Sequence, residues 1–481
     1  MLEKNHIFNI PISLVKRCYQ NKNELPSYRT EFMRDRDRLM YATAFRRLSG
    51  KTQIYTVGSD DHRKNRLTHT LEVAQIARTI AIALNLNPDL AEAIALGHDF
   101  GHTPFGHAGE RMLHDILIPD SPYIKKSPFY NKSYSEIVKR FARENPTKKD
   151  SLSHLIGFKH NIQSVRVAAL LEDSYRNDAN RNIGLNLTNF TLYGMMIHSN
   201  LQYKDSPEAP NFQNFFKEQM NFKNYNKEAW SFEAYIVSLA DDIAQWHHDL
   251  EDAIREGVLS SKKICDTIKE SLGTTLDPLS VKQLDDMSSE PRLERNHIAN
   301  LSHIVVNTLV TDLINTTTQN LEELIDTLNK DGIVDSEEFF KNYDFSDFRL
   351  NRNKVVSFSA NIDEDKFKKT IKSSIHHSRN VERMNEKGKY IIRKLFEAYY
   401  AHPQQLPDGP ILHFMVDIER PGYENIDQAK KAVIGEAREE FDEILKNPTI
   451  YERCMLMRRI CDHIASMTDH YAIEEYNNLY G

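Results

Sequence analysis

The chain has 481 residues, of which 40% are hydrophobic and 27% are charged, a composition typical of globular and not of disordered proteins. Its formal net charge of −7 disfavours a protein that binds polyanions over its whole surface. Glycine is sparse, with 17 residues, which disfavours glycine-rich sandwiches, propellers and dinucleotide-binding folds. The four cysteines form no CxxC pair, and no stretch approaches the ~18 apolar residues of a membrane span. We therefore expect reduced thiols in a cytoplasmic protein without a membrane segment.

The first part of the chain is predicted to form consecutive helices. An apolar stripe beneath a charged face predicts a helix within 28–53, and dense apolar residues predict another over 68–84. A third helix begins at Pro88, because an N-cap asparagine precedes this proline and an acidic residue follows it, and it ends at Gly97. The stripe in 28–53 consists of Leu39, Ala42, Phe45 and Leu48.

Helices are predicted in the rest of the chain as well. They cover 110–116, 161–172 and 232–256, the last of which Gly257 closes at its C′ position. Amphipathic helices then alternate with charged loops to the last residue. Because the sequence has no internal repeat, low-complexity tract or strong β alternation, we predict an all-α globule.

We predict three parts in this organisation. An N-terminal arm covers 1–27, a core covers 28–260 with a polar insertion near 119–159, and a helical C-terminal part covers 261–481. The lysine-rich run at 366–372 is interpreted as a charged helix face, with a patch for single-stranded DNA as the less favoured alternative.

Histidine placement is the most informative chemical feature, since phosphate-loop, GxGxxG, GxSxG and HExxH motifs are absent. His98-Asp99 joins an imidazole to a carboxylate after a helix end, and His69 lies 29 residues upstream (98 − 69) on another helix. Asp241 lies mid-helix among apolar residues, where an unpaired carboxylate is costly. Such a donor set suits Mn²⁺, Mg²⁺, Fe²⁺, Co²⁺ or Zn²⁺. On spacing alone, however, structural histidines are the commoner explanation.

Eight segments between residues 28 and 475 carry recognisable motifs: RDRDRLMYATAFRRLSGKTQ (34–53), RLTHTLEVAQIAR (66–78), GHDFGHTPFGHAGE (97–110), HNIQSVR (160–166), GLNLTNFTL (184–192), LADDIAQWHHDLEDA (239–253), KLFEAYYAHPQQLP (394–407) and ICDHIASMTDHYA (460–472). In this order they resemble the HD-domain deoxynucleoside triphosphate triphosphohydrolases, the dGTPase family. The resemblance implies an all-α, HD-domain helical globule with helical insertions and a helical C-terminal region that completes the active site and makes oligomer contacts.

The resemblance assigns roles to individual residues. It implies that His107 and Glu110 form a catalytic pair, whereas without it a helix-start histidine with a capping-box glutamate is the simpler explanation. The implied metal ligands are His69, His98, Asp99 and Asp241. The implied substrate contacts are Arg66, His102 and Asn161 at the phosphates and Gln53, Gln245 and Asp249 at the sugar.

Two positions depart from the family pattern. Gln245 stands where the family usually has a tyrosine that packs against the sugar, so discrimination between sugars is open. His198-Ser199 stands where the family commonly has a Lys-Tyr pair near the phosphates. A titratable imidazole would then replace a fixed positive charge.

The reaction implied by the resemblance is metal-dependent hydrolysis of dGTP or several dNTPs to a deoxynucleoside and tripolyphosphate, with Mn²⁺ or Mg²⁺ as the expected ion. Family members commonly form hexamers or tetramers, so we expect a homo-oligomer, while a nucleotide or single-stranded DNA effector stays open. Two alternatives also stay open: another HD-type phosphohydrolase, such as a phosphodiesterase or nucleotidase, and a catalytically silent regulator that binds nucleotides or DNA.

Overall fold

The computed structural model describes residues 4–19, 26–53, 64–117, 157–176, 182–197, 229–342, 355–423 and 425–481. Across these ranges the protein is helical and contains isolated β-bridges but no β-strand, which confirms the all-α prediction. None of the helices in these ranges is long and apolar enough to cross a membrane. Most of the insertion predicted near 119–159, and the His198-Ser199 departure, lie outside the described residues.

Twenty α-helices are found in the described ranges. The first group comprises α1 (Glu31–Met40), α2 (Thr43–Arg47), α3 (Arg66–Ala83), α4 (Pro88–Gly97), α5 (Gly106–Leu117), α6 (His160–Arg166), α7 (Asn189–Ile197) and α8 (Phe232–Glu256). The second comprises α9 (Ser261–Leu272), α10 (Pro278–Ser288), α11 (Arg295–Lys330), α12 (Ser336–Asn342), α13 (Glu364–Phe367) and α14 (Ser373–His376). The third comprises α15 (Arg379–Ala401), α16 (Asp408–Asp417), α17 (Ile426–Ala429), α18 (Ile434–Lys446), α19 (Ile450–Ser466) and α20 (Asp469–Tyr480).

Local signals predicted several helix ends correctly. The side-chain oxygen of Asn87 accepts hydrogen bonds from the backbone N–H groups of Asp89 (3.1 Å) and Leu90 (3.0 Å), as an N-cap before α4 should. Helix α8 covers the predicted residues and ends at Gly257, whose φ of 61° is the left-handed conformation expected at C′.

The stripe in 28–53 is buried as predicted, but it does not lie on one continuous helix. Helix α1 ends at Met40 and α2 begins at Thr43. Glu172 explains the interruption, because its carboxylate accepts hydrogen bonds from the backbone N–H groups of Thr43 (3.2 Å) and Ala44 (2.8 Å). A buried carboxylate from a distant segment thus satisfies the free donors at the start of α2.

The chain divides into two compact units, each assembled from separated segments. The first unit comprises 1–16, 69–96 and 230–383. In its core Phe8 lies 5.1 Å from Phe232 between ring centroids. In a second aromatic pair, Trp246 stacks on Phe367 at 4.0 Å.

The second unit comprises 17–68, 97–229 and 384–481. An apolar core in this unit packs α5 against the C-terminal helices α15, α16 and α19. The three-part division predicted from sequence stays a prediction.

A buried charge network stabilises the second unit. The carboxylate of Asp462 accepts hydrogen bonds from Arg166 (2.8 to 3.1 Å), and Arg458 and Arg459 lie within 3.4 Å of it. Arg459 also pairs with Asp417. Burial alone would raise the pKa of Asp462, but the three guanidinium groups hold this pKa well below its usual range.

Asp462→Asn is expected to lower the free energy of unfolding by about 3–5 kcal/mol, because it leaves buried guanidinium groups without their anion. Since the folded-state pKa is lowered, this contribution is complete above the unfolded pKa of about 3.9 and decreases as the pH falls below it. Urea denaturation of both proteins at several pH values measures the effect. The exposed pair of Asp408 and Arg438 (2.6 Å) supplies the control, since Asp408→Asn should cost less than about 1 kcal/mol. Equal losses in the free energy of unfolding for Asp462→Asn and Asp408→Asn would contradict this explanation.

Candidate active site

The loop after α4 is held directly against the start of α6. The hydroxyl of Ser164 donates to the carbonyl of His98 (2.7 Å) and accepts from the N–H of Gly101 (2.8 Å). A Cβ on Gly101 would lie 2.1 Å from the carbonyl oxygen of His160. Only glycine therefore allows this approach, which fixes His98 and the residues after it.

Gly101→Ala is expected to lower the free energy of unfolding by about 1–3 kcal/mol or more. The added methyl group would meet backbone atoms, which cannot move aside as a flexible side chain would. Urea denaturation measures this cost. Gly435→Ala in α18 is the matched control, since nothing lies within 4 Å of its Cβ, and we expect a neutral or slightly stabilising effect. An unchanged free energy of unfolding in Gly101→Ala would show instead that the loop moves freely to accommodate the methyl group.

Asp99 is the centre of a buried polar cluster in the second unit. Its Oδ2 accepts a hydrogen bond from Arg66 (2.7 Å), and its Oδ1 lies 3.4 Å from Nε2 of His98 and 3.2 Å from Nε2 of His102. Burial would raise the pKa of Asp99, but His98, Arg66 and His102 keep this pKa well below its usual value. The carboxylate is therefore ionised, as a metal ligand must be.

His102 is arranged as a neutral imidazole. Burial, together with the charge of Arg66, lowers its pKa well below the usual value. Its ring stacks on that of His160 at 3.9 Å between centroids. When Nε2–H donates to Asp99, Nδ1 is the acceptor nitrogen, and this buried atom has no partner among the described residues.

Glu110 joins two imidazoles. Its Oε2 lies 3.0 Å from Nδ1 of His107, and its Oε1 accepts from the backbone N–H of His160 (3.2 Å) and faces Nδ1 of that residue (3.1 Å). Burial would raise the pKa of Glu110, but His160 and His107 hold this pKa well below its usual value. The side chain of His107 is 51% exposed, so a carboxylate-bound imidazole lies open to solvent. This contact set differs from the capping box that the sequence also allowed.

The KTQ segment that ends at Gln53 is fixed by buried contacts. Lys51 donates through Nζ to the carbonyls of His102 and Ala465, and burial lowers the pKa of this lysine to about 7. Asp469 at the start of α20 accepts from the N–H groups of Thr52 (3.1 Å) and Phe105 (2.9 Å). Burial raises the pKa of Asp469 to about 6. The C-terminal helix thus orients both the KTQ segment and the turn before α5.

The first unit holds four further predicted residues, His69, Asp241, Gln245 and Asp249. Nε2 of His69 lies 2.8 Å from Oδ1 of Asp241. One turn later on α8, Oε1 of Gln245 accepts a hydrogen bond from Lys372 (3.1 Å). One turn further, Asp249 is buried, and burial raises its pKa to about 7. The lysine run at 366–372 accordingly contributes Lys372 to this row of polar residues on α8.

The four predicted metal ligands fall two in each unit, and each unit pairs one imidazole with one carboxylate. The ligand atoms are 2.8 Å apart for His69 and Asp241 and 3.4 Å apart for His98 and Asp99. Two ligands that share one ion, with bonds of about 2.0–2.2 Å, lie roughly 3.0–3.5 Å apart. The His98–Asp99 distance lies within this range, whereas the His69–Asp241 distance is slightly shorter, as in a direct hydrogen bond.

His160 and Lys372 contact predicted site residues but were not themselves predicted from the sequence. His160 lies beside Asn161, which was selected as a phosphate contact and is buried in the first turn of α6. The position of His160, directly before the predicted phosphate contact Asn161, is the signal in the sequence that could have identified it. The ligand atoms of His102, His107, Glu110 and His160 all lie within 4.8 Å of one another, which no sequence spacing indicates. The sequence places Lys372 among the lysines of a charged helix face and does not distinguish it from them.

Two family models match this chain. The HD domain matches residues 66–246, and the phosphohydrolase-associated domain matches residues 355–414 and 437–478. HD domains bind divalent metals, and the first match contains all four predicted metal ligands. The chain is thus a metal-dependent phosphohydrolase.

Curated relatives extend the similarity over most of the chain. A deoxyguanosinetriphosphate triphosphohydrolase-like protein of Syntrophus aciditrophicus is 34% identical over 392 residues, which are 80% of this chain and 79% of the relative. Proteins with the same name from Rickettsia felis and Bartonella tribocorum are 32% identical over 98% of this chain and 30% identical over 94% of it, covering 96% and 90% of the relatives. The chain therefore belongs to the deoxyguanosinetriphosphate triphosphohydrolase-like family of HD-domain proteins.

Proposed function

We propose that this protein hydrolyses deoxynucleoside triphosphates, dGTP or several dNTPs, to a deoxynucleoside and tripolyphosphate. The observation that carries the proposal is the Glu110 carboxylate, which contacts His107 and His160 while the His107 ring is exposed. The names of the curated relatives support the substrate class.

The proposed metal ligands are His69, His98, Asp99 and Asp241. Two imidazole nitrogens and two carboxylate oxygens form a mixed donor set with a ligand charge of −2, which suits Mn²⁺ or Mg²⁺ and also admits Fe²⁺, Co²⁺ or Zn²⁺. When bound, the ion would polarise a phosphoryl oxygen and lower the pKa of a coordinated water. Asp99 would bind the ion through Oδ1, which lies beside His98, because its Oδ2 is paired with Arg66.

His107 is the proposed proton donor. In the reaction the water gives up a proton as its oxygen bonds to the α-phosphorus, the bond from phosphorus to the 5′-oxygen breaks, and that oxygen takes up a proton. Because Glu110 accepts the Nδ1 proton of His107, Nε2 is the nitrogen that exchanges protons with substrate. His160 is a positioning residue, since it holds Glu110 from the other side.

The other proposed substrate contacts follow from residue chemistry. Arg66, neutral His102 and the amide of Asn161 would bind the phosphates, which carry the charge that develops during phosphoryl transfer. Gln53 and Asp249 would bind the sugar. Gln245 is held by Lys372, so this position presents an amide and an ammonium group together.

Product analysis tests the proposal. The purified protein is incubated with Mn²⁺ and each dNTP, singly and mixed, and products are separated by anion exchange with Asp99→Asn as the control. Tripolyphosphate and deoxynucleoside, absent from the control, are the expected products. Orthophosphate or pyrophosphate would instead identify another HD-type phosphohydrolase. Binding of dNTPs without any product would identify a regulator.

The same experiment addresses effectors. Activity with the mixture but with no single dNTP would indicate a nucleotide effector. Activity that rises with added single-stranded DNA would indicate a DNA effector. We also propose a homo-oligomer, a hexamer or tetramer, which the mass of the purified protein in solution tests directly.

A further inference from the structure

A group of histidine and glutamate side chains lies in the first unit, apart from the four proposed metal ligands. Glu72 is on α3, and His247 and His248 are adjacent on α8. Oε2 of Glu72 lies 2.5 Å from Nε2 of His248 and 3.9 Å from Nε2 of His247. One ligand atom from each of the three lies within 4.8 Å of the others.

A fourth donor is next to this group. Oε1 of Glu251 lies 3.8 Å from Nε2 of His247, and the two residues are one turn apart on α8. Two imidazoles and two carboxylates thus converge from two helices. His248 is 4% exposed, whereas the side chain of Glu72 is 35% exposed, so the group has a buried floor and a side open to water.

A hydrogen-bonded pair of His248 and Glu72 would account for only part of this arrangement. It does not include the second imidazole, which lies near the same carboxylate oxygen, or Glu251, which lies near that imidazole. Ligand atoms that share a tetrahedral ion are roughly 3.4 Å apart, between the 2.5 Å and 3.9 Å seen here, so small side-chain rotations suffice.

We propose that Glu72, His247 and His248, with Glu251 beside them, bind a second divalent transition-metal ion. Imidazole nitrogens with carboxylate oxygens favour a borderline-soft ion, for which Zn²⁺ is the probe. Such an ion would link α3 to α8 and thereby stabilise the first unit. It would also fix His248, whose ring lies edge-on to that of His69 at 5.2 Å between centroids.

Metal counting on the full-length protein tests this site independently of the proposed function. After equilibrium dialysis against Zn²⁺, the bound ions per chain are measured for wild type, His247→Asn, Glu72→Gln and Asp99→Asn. The control is His303→Asn, an exposed histidine on α11. We expect His247→Asn and Glu72→Gln each to lose one ion per chain relative to wild type and to His303→Asn.

Thermal unfolding supplies a readout without activity. Zn²⁺ should raise the melting temperature of Asp99→Asn, and this shift should be absent from Asp99→Asn/His247→Asn. The proposal is overturned if His247→Asn and Glu72→Gln, both folded by circular dichroism, bind as many ions as His303→Asn. An unchanged ion count in Asp99→Asn alone would instead contradict the proposed catalytic metal centre and leave the second site standing.

Discussion

Asp99→Asn is expected to reduce dNTP hydrolysis by at least about 10³-fold and to lower the metal content of the protein. A bound divalent ion contributes several kcal/mol to stabilising transition-state charge, and about 4 kcal/mol corresponds to that factor. Asparagine keeps the side-chain volume and an oxygen that can accept from Arg66, but it removes the negative charge at Oδ1. The initial rate of deoxynucleoside release and the metal content together measure the effect.

The control for this prediction is Asp286→Asn, which changes an exposed aspartate on α10. Rate and metal content should both stay at the wild-type level in that variant. If Asp99→Asn kept full activity together with full metal content, Asp99 would not be a ligand. If it lost its fold, which circular dichroism would reveal, the buried charge of Arg66 would be the cause, because an unpaired buried guanidinium is strongly destabilising.

Glu110→Gln is expected to lower kcat by about 10²–10⁴-fold while changing KM by only a few-fold. Glutamine has the same shape but no charge, so it neither stabilises a protonated His107 nor fixes the Nδ1–H tautomer through an anion. Because the pKa of Glu110 is held well below its usual value, this group stays ionised at all working pH values. Titration of Glu110 should therefore not shape the pH profile of kcat. Steady-state kinetics at several pH values checks both statements.

Metal content distinguishes two roles for the Glu110 cluster. If the cluster transfers protons, Glu110→Gln should keep the wild-type number of ions. The control Glu439→Gln, which changes an exposed glutamate on α18, should keep that number as well. Loss of an ion from Glu110→Gln alone would mean that the cluster with His102, His107 and His160 binds metal instead. The double variant Glu110→Gln/His107→Gln should have little less activity than the less active of the two single variants. The effects of substituting residues that act as a unit are strongly non-additive.

Local chemistry explains why much of the fold was predictable. An N-cap at Asn87 and a left-handed glycine at Gly257 act over a few residues, and such signals predicted the start of α4 and the end of α8. Periodicity likewise identified the buried stripe around Leu39 and Phe45, since burial of one helix face requires apolar residues at that spacing. Where a distant group intervened, the prediction was wrong, as at the interruption between α1 and α2 that Glu172 produces.

The sequence by itself determined the all-α class, the family and the residue types available for chemistry, because these depend on composition, spacing and motif order. Only the tertiary structure decided which of those residues meet. Glu110 contacts His160 across 50 residues, Asp469 contacts Thr52 across 417, and His248 contacts Glu72 across 176. Contacts of this kind are set by how helices pack, and the free energy of burying charged groups then selects the few arrangements in which each charge has a partner.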